Sequence, residues 1–394
     1  MFKTIIISFV LLLFVALISI FIAGGAYIPS SYLEPWDKDY YTKYDDPRTQ
    51  IIAHGILASN GHNMQNWKFK YDVNNDNAFD MYIETERLAT EVDPYHSQAT
   101  ISQGTLFEYM ILAGKKLGYH LKVELFPDGE YSQTVSINEL KQTRVARVEL
   151  EEIEKEQDEL YAEMFKPDTS RVAYKKDSVS QEDVEILKAL NIYQDIRIIY
   201  IGQGDKYEKI KNYVIGSVEI ETGVEGIMQE SGTLFRANEK QKNKYRYGFS
   251  FEGSAVTGFK MHLLQGLLTF FPGMNNLETS KNNFMAQTKL AAEKNSGFFL
   301  IVSQGNTRHQ QFNSGQLYSA MQLKAHTLGL AVQPLSQAIE EYPEMKDVYH
   351  AIHQDMVLEK ETILILFRIG EPVSEVPKSM RKDVEDFISV SESL

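Results

Sequence analysis

The sequence predicts an α+β sandwich made of two pseudo-repeat halves, preceded by an N-terminal transmembrane helix. Three observations carry this. After residue 47, apolar runs of strand length are separated by helical patterns, which excludes an all-β fold. A fifteen-residue segment recurs: Gly104–Gly118 and Gly315–Gly329 align without a gap. They share both terminal Gly, three Leu and one Met, and Phe107 faces Tyr318. Lastly, Ile5–Ala23 is an apolar run interrupted only by Ser8 and Ser19.

In chain order, the apolar run comes first. As a helix it spans roughly 28 Å, close to the thickness of a bilayer's hydrocarbon. Lys3 precedes it and Glu34, Asp37, Asp39, Asp45 and Asp46 follow, so the positive-inside rule keeps the N-terminus cytoplasmic and the bulk of the chain extracytoplasmic, periplasmic in a bacterium. Gly24-Gly25-Ala26 also reads as the cleavage site of a signal peptide, but the run is longer than a typical signal core, which favours a retained anchor over residues 1–26.

The first half, 27–148, holds a helix ending near Leu57, a polar turn, strands near Phe69–Val73 and Asp80–Glu84, the Gly104–Gly118 helix, and a strand over Tyr119–Phe126. In each repeat copy the closing Gly sits where a helix ends in left-handed backbone. Leu150, Ile153, Leu160 and Met164 mark one face of an acidic helix opening the second half, 149–394. Ser180 with Asp183 caps a further helix to Leu190. Ile196–Ile201, Phe298–Ser303 and Thr362–Ile369 are central strands, and Leu330–Leu335 is extended. Residues 216–294, rich in Gly, Asn and aromatics, read as short helices and loops forming a lid.

The formal charge of −14 excludes nucleic-acid binding through a basic surface, and the absence of cysteine excludes disulfides, thiolate metal sites and cysteine nucleophiles. His350-x-x-His353-x-Asp355 has ligand spacing but lacks a further ligand, so it reads as a surface helix. Gly202-Gln-Gly204 lacks the third glycine of a dinucleotide fingerprint and reads as a turn. The most informative stretch is Asn60-Gly61-His62-Asn63-Met64-Gln65-Asn66-Trp67-Lys68-Phe69, a helix-to-strand turn dense in amide donors and acceptors. It has no nucleophile–base pair. Such a turn suits holding the polar edge of a flat heterocycle, so that a cofactor carries the chemistry.

His62-Asn63-x-Gln65-x-Trp67-x-Phe69 resembles the His-Asn-x-Gln-Pro-Trp-x-Phe signature of the FMN-binding nitroreductase superfamily, Acg-type branch. Thr169-Ser170-Arg171-Val172-Ala173-Tyr174 is similar to that family's Arg-centred element, Gly329-Leu330-Ala331-Val332-Gln333-Pro334-Leu335 to its Gly-Leu-x-x-Gln-Pro-Leu loop, and Pro377-Lys378-Ser379-Met380-Arg381-Lys382 to its basic C-terminal segment. With a weaker match around Arg236–Gly248, the resemblance extends over nearly everything after residue 47. Departures are Asn66 and Ala173 where the family has Pro, Asn60 where it has Ser, and Asp168 where a basic residue is common.

The resemblance implies a nitroreductase-like dimer fused into one polypeptide, a monomer that mimics a dimer, with one FMN per chain. It implies that Asn60 and Asn63 meet the isoalloxazine and ribityl side, with His62, Gln65 and Trp67 in or beside the pocket. Ser170 and Arg171 come from the second half, Gln333, Pro334 and Leu335 lie against the ring, and Lys378 and Arg381 hold the phosphate. No catalytic residue and no metal ligand is expected, because the flavin performs the redox step. Two functions are consistent with this: an oxidoreductase passing electrons to a small nitro- or quinone-like acceptor, or a lidded flavin-storage protein without turnover. A membrane-tethered scaffold with a decayed flavin site is a weaker third.

Overall fold

Two antiparallel sheets form where alternating and apolar runs occur in the sequence. The computed structural model describes residues 2–167 and 169–390. Its strands are β1 (Trp67–Tyr71), β2 (Ala78–Ile83), β3 (Tyr119–Leu125), β4 (Arg144–Glu152), β5 (Ile196–Ile201), β6 (Gly297–Ser303), β7 (Ala331–Pro334), β8 (Thr362–Gly370) and β9 (Ile388–Val390). The first sheet has the order β3-β4-β2-β1, continued by β9 running parallel to β1. The second has the order β7-β8-β6-β5. All pairings other than β1 with β9 are antiparallel. Apart from β9, the two sheets therefore share one strand order, each with a long helix before its β3- or β7-type edge strand.

The helices are α1 (Phe2–Gly24), α2 (Pro47–Gly55), α3 (Ser97–Leu117), α4 (Ile137–Leu140), α5 (Gln181–Lys188), α6 (Asp205–Gly223), α7 (Glu225–Thr233), α8 (Glu239–Tyr245), α9 (Gly258–Phe270), α10 (Leu277–Glu293), α11 (Arg308–Thr327) and α12 (Lys346–Met356). All seven residues of β6 are buried because the strand is covered on both faces. Phe299 and Ile301 pack with Leu317, Tyr318 and Met321 of α11, while Phe298, Leu300 and Val302 pack with residues of α6, α10 and α12. Alternate residues serve opposite faces, as the period of a strand requires. Burying each such side chain contributes about 1.5–3 kcal/mol.

The repeat segments meet in space. Helices α3 and α11 cross backbone to backbone at Gly104 and Gly315. A Cβ on Gly104 would lie 1.9 Å from the Phe312 carbonyl oxygen, and one on Gly315 would lie 2.0 Å from that of Ile101. Ile101 and Phe312 each lie three residues before the repeat glycine of their own helix, so the close approach is reciprocal. Both helix starts are capped. Asp93 accepts from the Gln98 and Ala99 amides at 3.1 and 2.9 Å, and Thr307 with Gln310 forms a capping box on α11.

Three expectations are corrected. Residues 150–164 are not one helix: β4 runs through Glu152, and a 3-10 turn covers Glu159–Phe165. From Val148 onward alternation prevails, with Val148 and Leu150 buried while Glu149 and Glu151 turn outward, and β4 fills the gap between β2 and β3. Consequently a boundary at residue 148 falls inside a strand, and β9 returns the chain from the second half to the first sheet. Residues 216–294, expected as short helices and loops, are predominantly helical, and α6 and α10, at the two ends of that stretch, pack on one face of β6. The Ser180–Asp183 capping box forms as expected.

Gly104→Ala or Gly315→Ala forces α3 and α11 apart, and each is expected to cost about 1–3 kcal/mol in a denaturant titration, the range for overpacking. Gly232→Ala, where an added Cβ meets nothing within 4 Å, is the control and should be near neutral.

Candidate functional site

The turn between α2 and β1 is held in a backbone shape that its residues would not adopt alone. His62, Asn63 and Gln65 have φ of 53°, 51° and 50°. Three non-glycine residues in left-handed backbone within four positions carry strain that the surroundings must hold in place. Residues 377–382 and the segment before Gly248 supply the hold. Asn63 Nδ2 donates to the Gly248 and Met380 carbonyls at 3.1 and 3.2 Å. Gln65 Nε2 donates to the Arg246 and Met380 carbonyls at 2.9 and 3.2 Å, and Gln65 Oε1 accepts from the Lys382 amide at 3.0 Å. Arg381, fully buried, donates to the carbonyls of Leu57, Ala58 and Met380 and to Asn63 Oδ1 at 2.8–3.0 Å.

The motif residues therefore divide into two groups. Asn63, Gln65 and Trp67 face inward. Trp67 is wholly buried and donates from Nε1 to the Ser102 carbonyl at 2.8 Å. Asn60 Oδ1 accepts from the Gln65 amide at 2.7 Å, so its side chain closes the turn on itself. His62 is different. Its Nδ1 is buried with no hydrogen-bond partner among the described residues, and its ring lies 5.6 Å from that of Phe249. Burial first, and then the nearby charge of Arg171, push its pKa down to about 4, so the imidazole is neutral at pH 7.

Arg171 thus comes from the second half to sit beside the first-half turn. The segment carrying it is docked on β7: the Ser170 amide donates to the Val332 carbonyl at 3.2 Å. Buried Arg368 secures the same junction, donating to Gln333 Oε1 at 2.8 Å and to the Ser170 and Val172 carbonyls at 3.3 and 2.7 Å. Leu335 is buried and its amide bonds the Leu366 carbonyl at 2.8 Å. Ser170 Oγ, like His62 Nδ1, is buried without a partner among the described residues. Arg171 itself is exposed, with a guanidinium nitrogen within 3.9 Å of the space a Gly253 side chain would occupy. The structure therefore holds Ser170 and Arg171 against the strand of Gln333 and Pro334, with Arg171 near enough to His62 for its charge to lower the imidazole pKa.

The structure gives two expected phosphate ligands, Arg381 and Lys378, other neighbours within the fold. The Arg381 guanidinium is committed to the main chain of the turn, where its role is to shape the site. Lys378 lies 5.5 Å from the Trp36 ring, and burial lowers its pKa. Asp168 lies outside the described residues. His353, on α12, donates to the Tyr349 carbonyl at 2.7 Å through Nδ1 and accepts from the Ile363 amide at 2.9 Å through Nε2, so both ring nitrogens are spent on structure. Among the described residues no group of three His, Asp or Glu side chains could hold a metal.

Sequence reasoning missed an acidic cluster next to the turn. Gln98, whose Oε1 lies 3.4 Å from where a Gly61 Cβ would be, donates to Glu340 Oε1 at 3.4 Å, and Ser336 Oγ donates to the same oxygen at 3.1 Å. Glu340 Oε2 and Glu221 Oε2 are buried without partners among the described residues. Burial pushes the Glu340 pKa up to about 8; burial and the Glu340 carboxyl raise Glu221 well above the ordinary range. Nothing in the local sequence signals this pair, which sits on α6 and on the turn after β7.

No family model matches this sequence, and no curated protein matches it. Among solved structures the chain is similar to a BluB-like flavoprotein from Clostridium difficile 630 at 16% identity, covering 60% of this chain and 100% of that one, with a TM-score of 0.35. It is similar to a nitroreductase-like family protein from Bacillus cereus at 10% identity, covering 60% and 98%, with a TM-score of 0.31. It is also similar to the FMN- and NADPH-dependent nitroreductase NfnB from Sphigopyxis sp. strain HMH at 12% identity, covering 60% and 100%, with a TM-score of 0.36.

The acidic pair gives a pH dependence of defined sign. Between about 4.5 and about 8 the folded state binds protons at Glu340 that the unfolded state has released, so stability present at low pH is lost as pH rises through that window. The thermal midpoint should fall from pH 5 to pH 8.5. Glu340→Gln is expected to reduce that slope, the remainder coming from Glu221 and Asp93, whose pKa values burial also raises, and an unchanged slope would refute the assignment.

Proposed function

We propose that this chain is a membrane-anchored, FMN-binding oxidoreductase of nitroreductase type, in which two duplicated halves form one flavin site. The observation that carries it is that Ser170 and Arg171 are docked on the Gln333–Leu335 strand end with the Arg171 charge acting on His62 of the turn, 109 positions earlier in the chain. Unpartnered buried polar atoms at His62 Nδ1 and Ser170 Oγ fit a ligand with acceptors and donors of its own. The shared strand order and the reciprocal crossing at Gly104 and Gly315 support the duplication.

In this reading Arg171 meets the phosphate, to which a guanidinium donates in bidentate fashion. Ser170 Oγ donates beside it, His62 presents a neutral ring nitrogen, and Gln333 and Pro334 line the ring side. The bound flavin supplies the hydride and electron transfer, with a small nitro- or quinone-like molecule as acceptor. The chain's own residues orient the cofactor and exclude water. One observation favours the storage reading as an alternative: the 205–293 cover is bonded to the turn itself, through the Arg246 and Gly248 carbonyls.

The test is flavin stoichiometry and affinity on the detergent-solubilised full chain, which should purify yellow with one FMN. Arg171→Ala should weaken FMN by about 1.5–3 kcal/mol, the range for a hydrogen bond to a charged group, and leave riboflavin almost unchanged. Arg381→Ala should weaken both flavins alike, because it acts through the turn. A chain that binds no flavin after reconstitution would overturn the proposal. Bleaching by NADPH, or by dithionite alone, separates turnover with that donor from storage.

A further inference from the structure

Helix α1 is 23 residues long and apolar enough to cross a membrane, and most of its side chains are exposed. Its last turn is not free. Gly24 and Gly266 bring α1 and α9 backbone to backbone: a Cβ on Gly266 would lie 2.0 Å from the Ile20 carbonyl oxygen, and one on Gly24 would lie 2.8 Å from that of His262. Small residues at such a crossing are what close helix packing in lipid uses. Phe21 packs against Phe259 with ring centroids 4.8 Å apart.

The residues after α1 are fastened to the same helices. Lys242, fully buried on α8, forms ion pairs with Glu239 and Glu252 and donates to the Tyr32 hydroxyl at 2.7 Å. Gln265 of α9 donates to Glu239 Oε1 at 3.0 Å. The anchor, the segment following it and the α8–α9 part of the cover therefore form one packed unit.

From that unit projects an apolar tip. Phe259, Phe270, Phe271, Met274 and Leu277 are 65%, 52%, 60%, 50% and 40% exposed; Phe259 opens α9, Phe270 closes it, Phe271 and Met274 lie on the short connection to α10, and Leu277 opens α10. Scattered single apolar residues are ordinary on a protein surface, but Phe270, Phe271, Met274 and Leu277 are exposed within eight positions, the two Phe rings 6.4 Å apart. Helix α9 has thirteen residues, about 20 Å, too short to span the hydrocarbon. It is suited to lying at the boundary, its apolar side chains among the acyl chains.

We propose that the α9–α10 tip is a second membrane contact, dipping into the lipid leaflet at the end of α1, so that the cover over the candidate site is held at the bilayer surface. The occupant is lipid because the patch is continuous with the exposed apolar face of a helix that itself requires hydrocarbon. This rests on α1 being inserted, part of the reading above.

The chain has no cysteine, so single-site labelling needs no background substitution. Full chains carrying Leu12→Cys, Phe271→Cys, Met274→Cys or Ile192→Cys would be labelled with an environment-sensitive fluorophore and reconstituted into phosphatidylcholine–phosphatidylglycerol vesicles. Labels at 12, 271 and 274 are expected to emit to the blue and to be quenched severalfold by brominated acyl chains. The label at Ile192, 80% exposed, should respond only to aqueous iodide. If the label at 12 responds to lipid while those at 271 and 274 behave like the one at 192, the second contact falls and the anchor stands. If the label at 12 also responds only to iodide, the anchor reading fails and the proposal with it. Blue-shifted labels at 271 and 274 that ignore the lipid quencher, and revert at one chain per vesicle, would assign the patch to a second copy of the chain and overturn it.

Discussion

One buried guanidinium holds the candidate site in shape. Arg381 reaches from near the end of the chain to the carbonyls of Leu57 and Ala58, where α2 has already ended, and to Asn63 in the middle of the turn. A guanidinium with five donors in a plane can satisfy several such acceptors at once, which lysine cannot. Three left-handed residues in a row of four are tolerable only because this and the Gln65 bonds fix them. The strained turn in turn leaves His62 as the member whose ring nitrogen is not absorbed by the fold.

Much of the fold was legible in the sequence because its strands are either alternating or wholly apolar, and because the capping residues of α5 stand at standard spacing. The fifteen-residue similarity pointed to two helices that the structure places in direct contact. What misled was β4: Leu150, Ile153, Leu160 and Met164 have helical spacing, but the strand is fixed by partners on both sides, which no local window contains. The helices of the cover were under-read because α6 and α10 are only weakly amphipathic.

The site was legible to a lesser degree, and the reason is specific. Motif positions identify residues near one another, but not which way each points. Asn63, Gln65, Trp67 and Arg381 are polar and collinear with His62, yet their hydrogen bonds are spent on main-chain groups from sequence-distant segments. The segment of Ser170 and Arg171 is pinned against β7 by Arg368, which no motif singled out. The Glu221–Glu340 pair, drawn from elements more than a hundred residues apart, leaves no pattern in either stretch of sequence.

The parallel pairing of β9 with β1 has a consequence for how the protein is made. An element near residue 69 finds its neighbour only near residue 388, and the clamp on the turn arrives with residues 377–382. During synthesis, α1 and strands β1 to β4 emerge while that edge and that clamp are still missing, so the strained turn has no reason to take its final form. A chain moved across a membrane as it is translated would hold an open strand edge on the far side until residues 388–390 had followed. Contacts of such long sequence separation fold slowly and expose unpaired edges meanwhile. If the proposed flavin binds beside this turn, its capture would wait until residues 377–390 had arrived to clamp the turn and close the sheet.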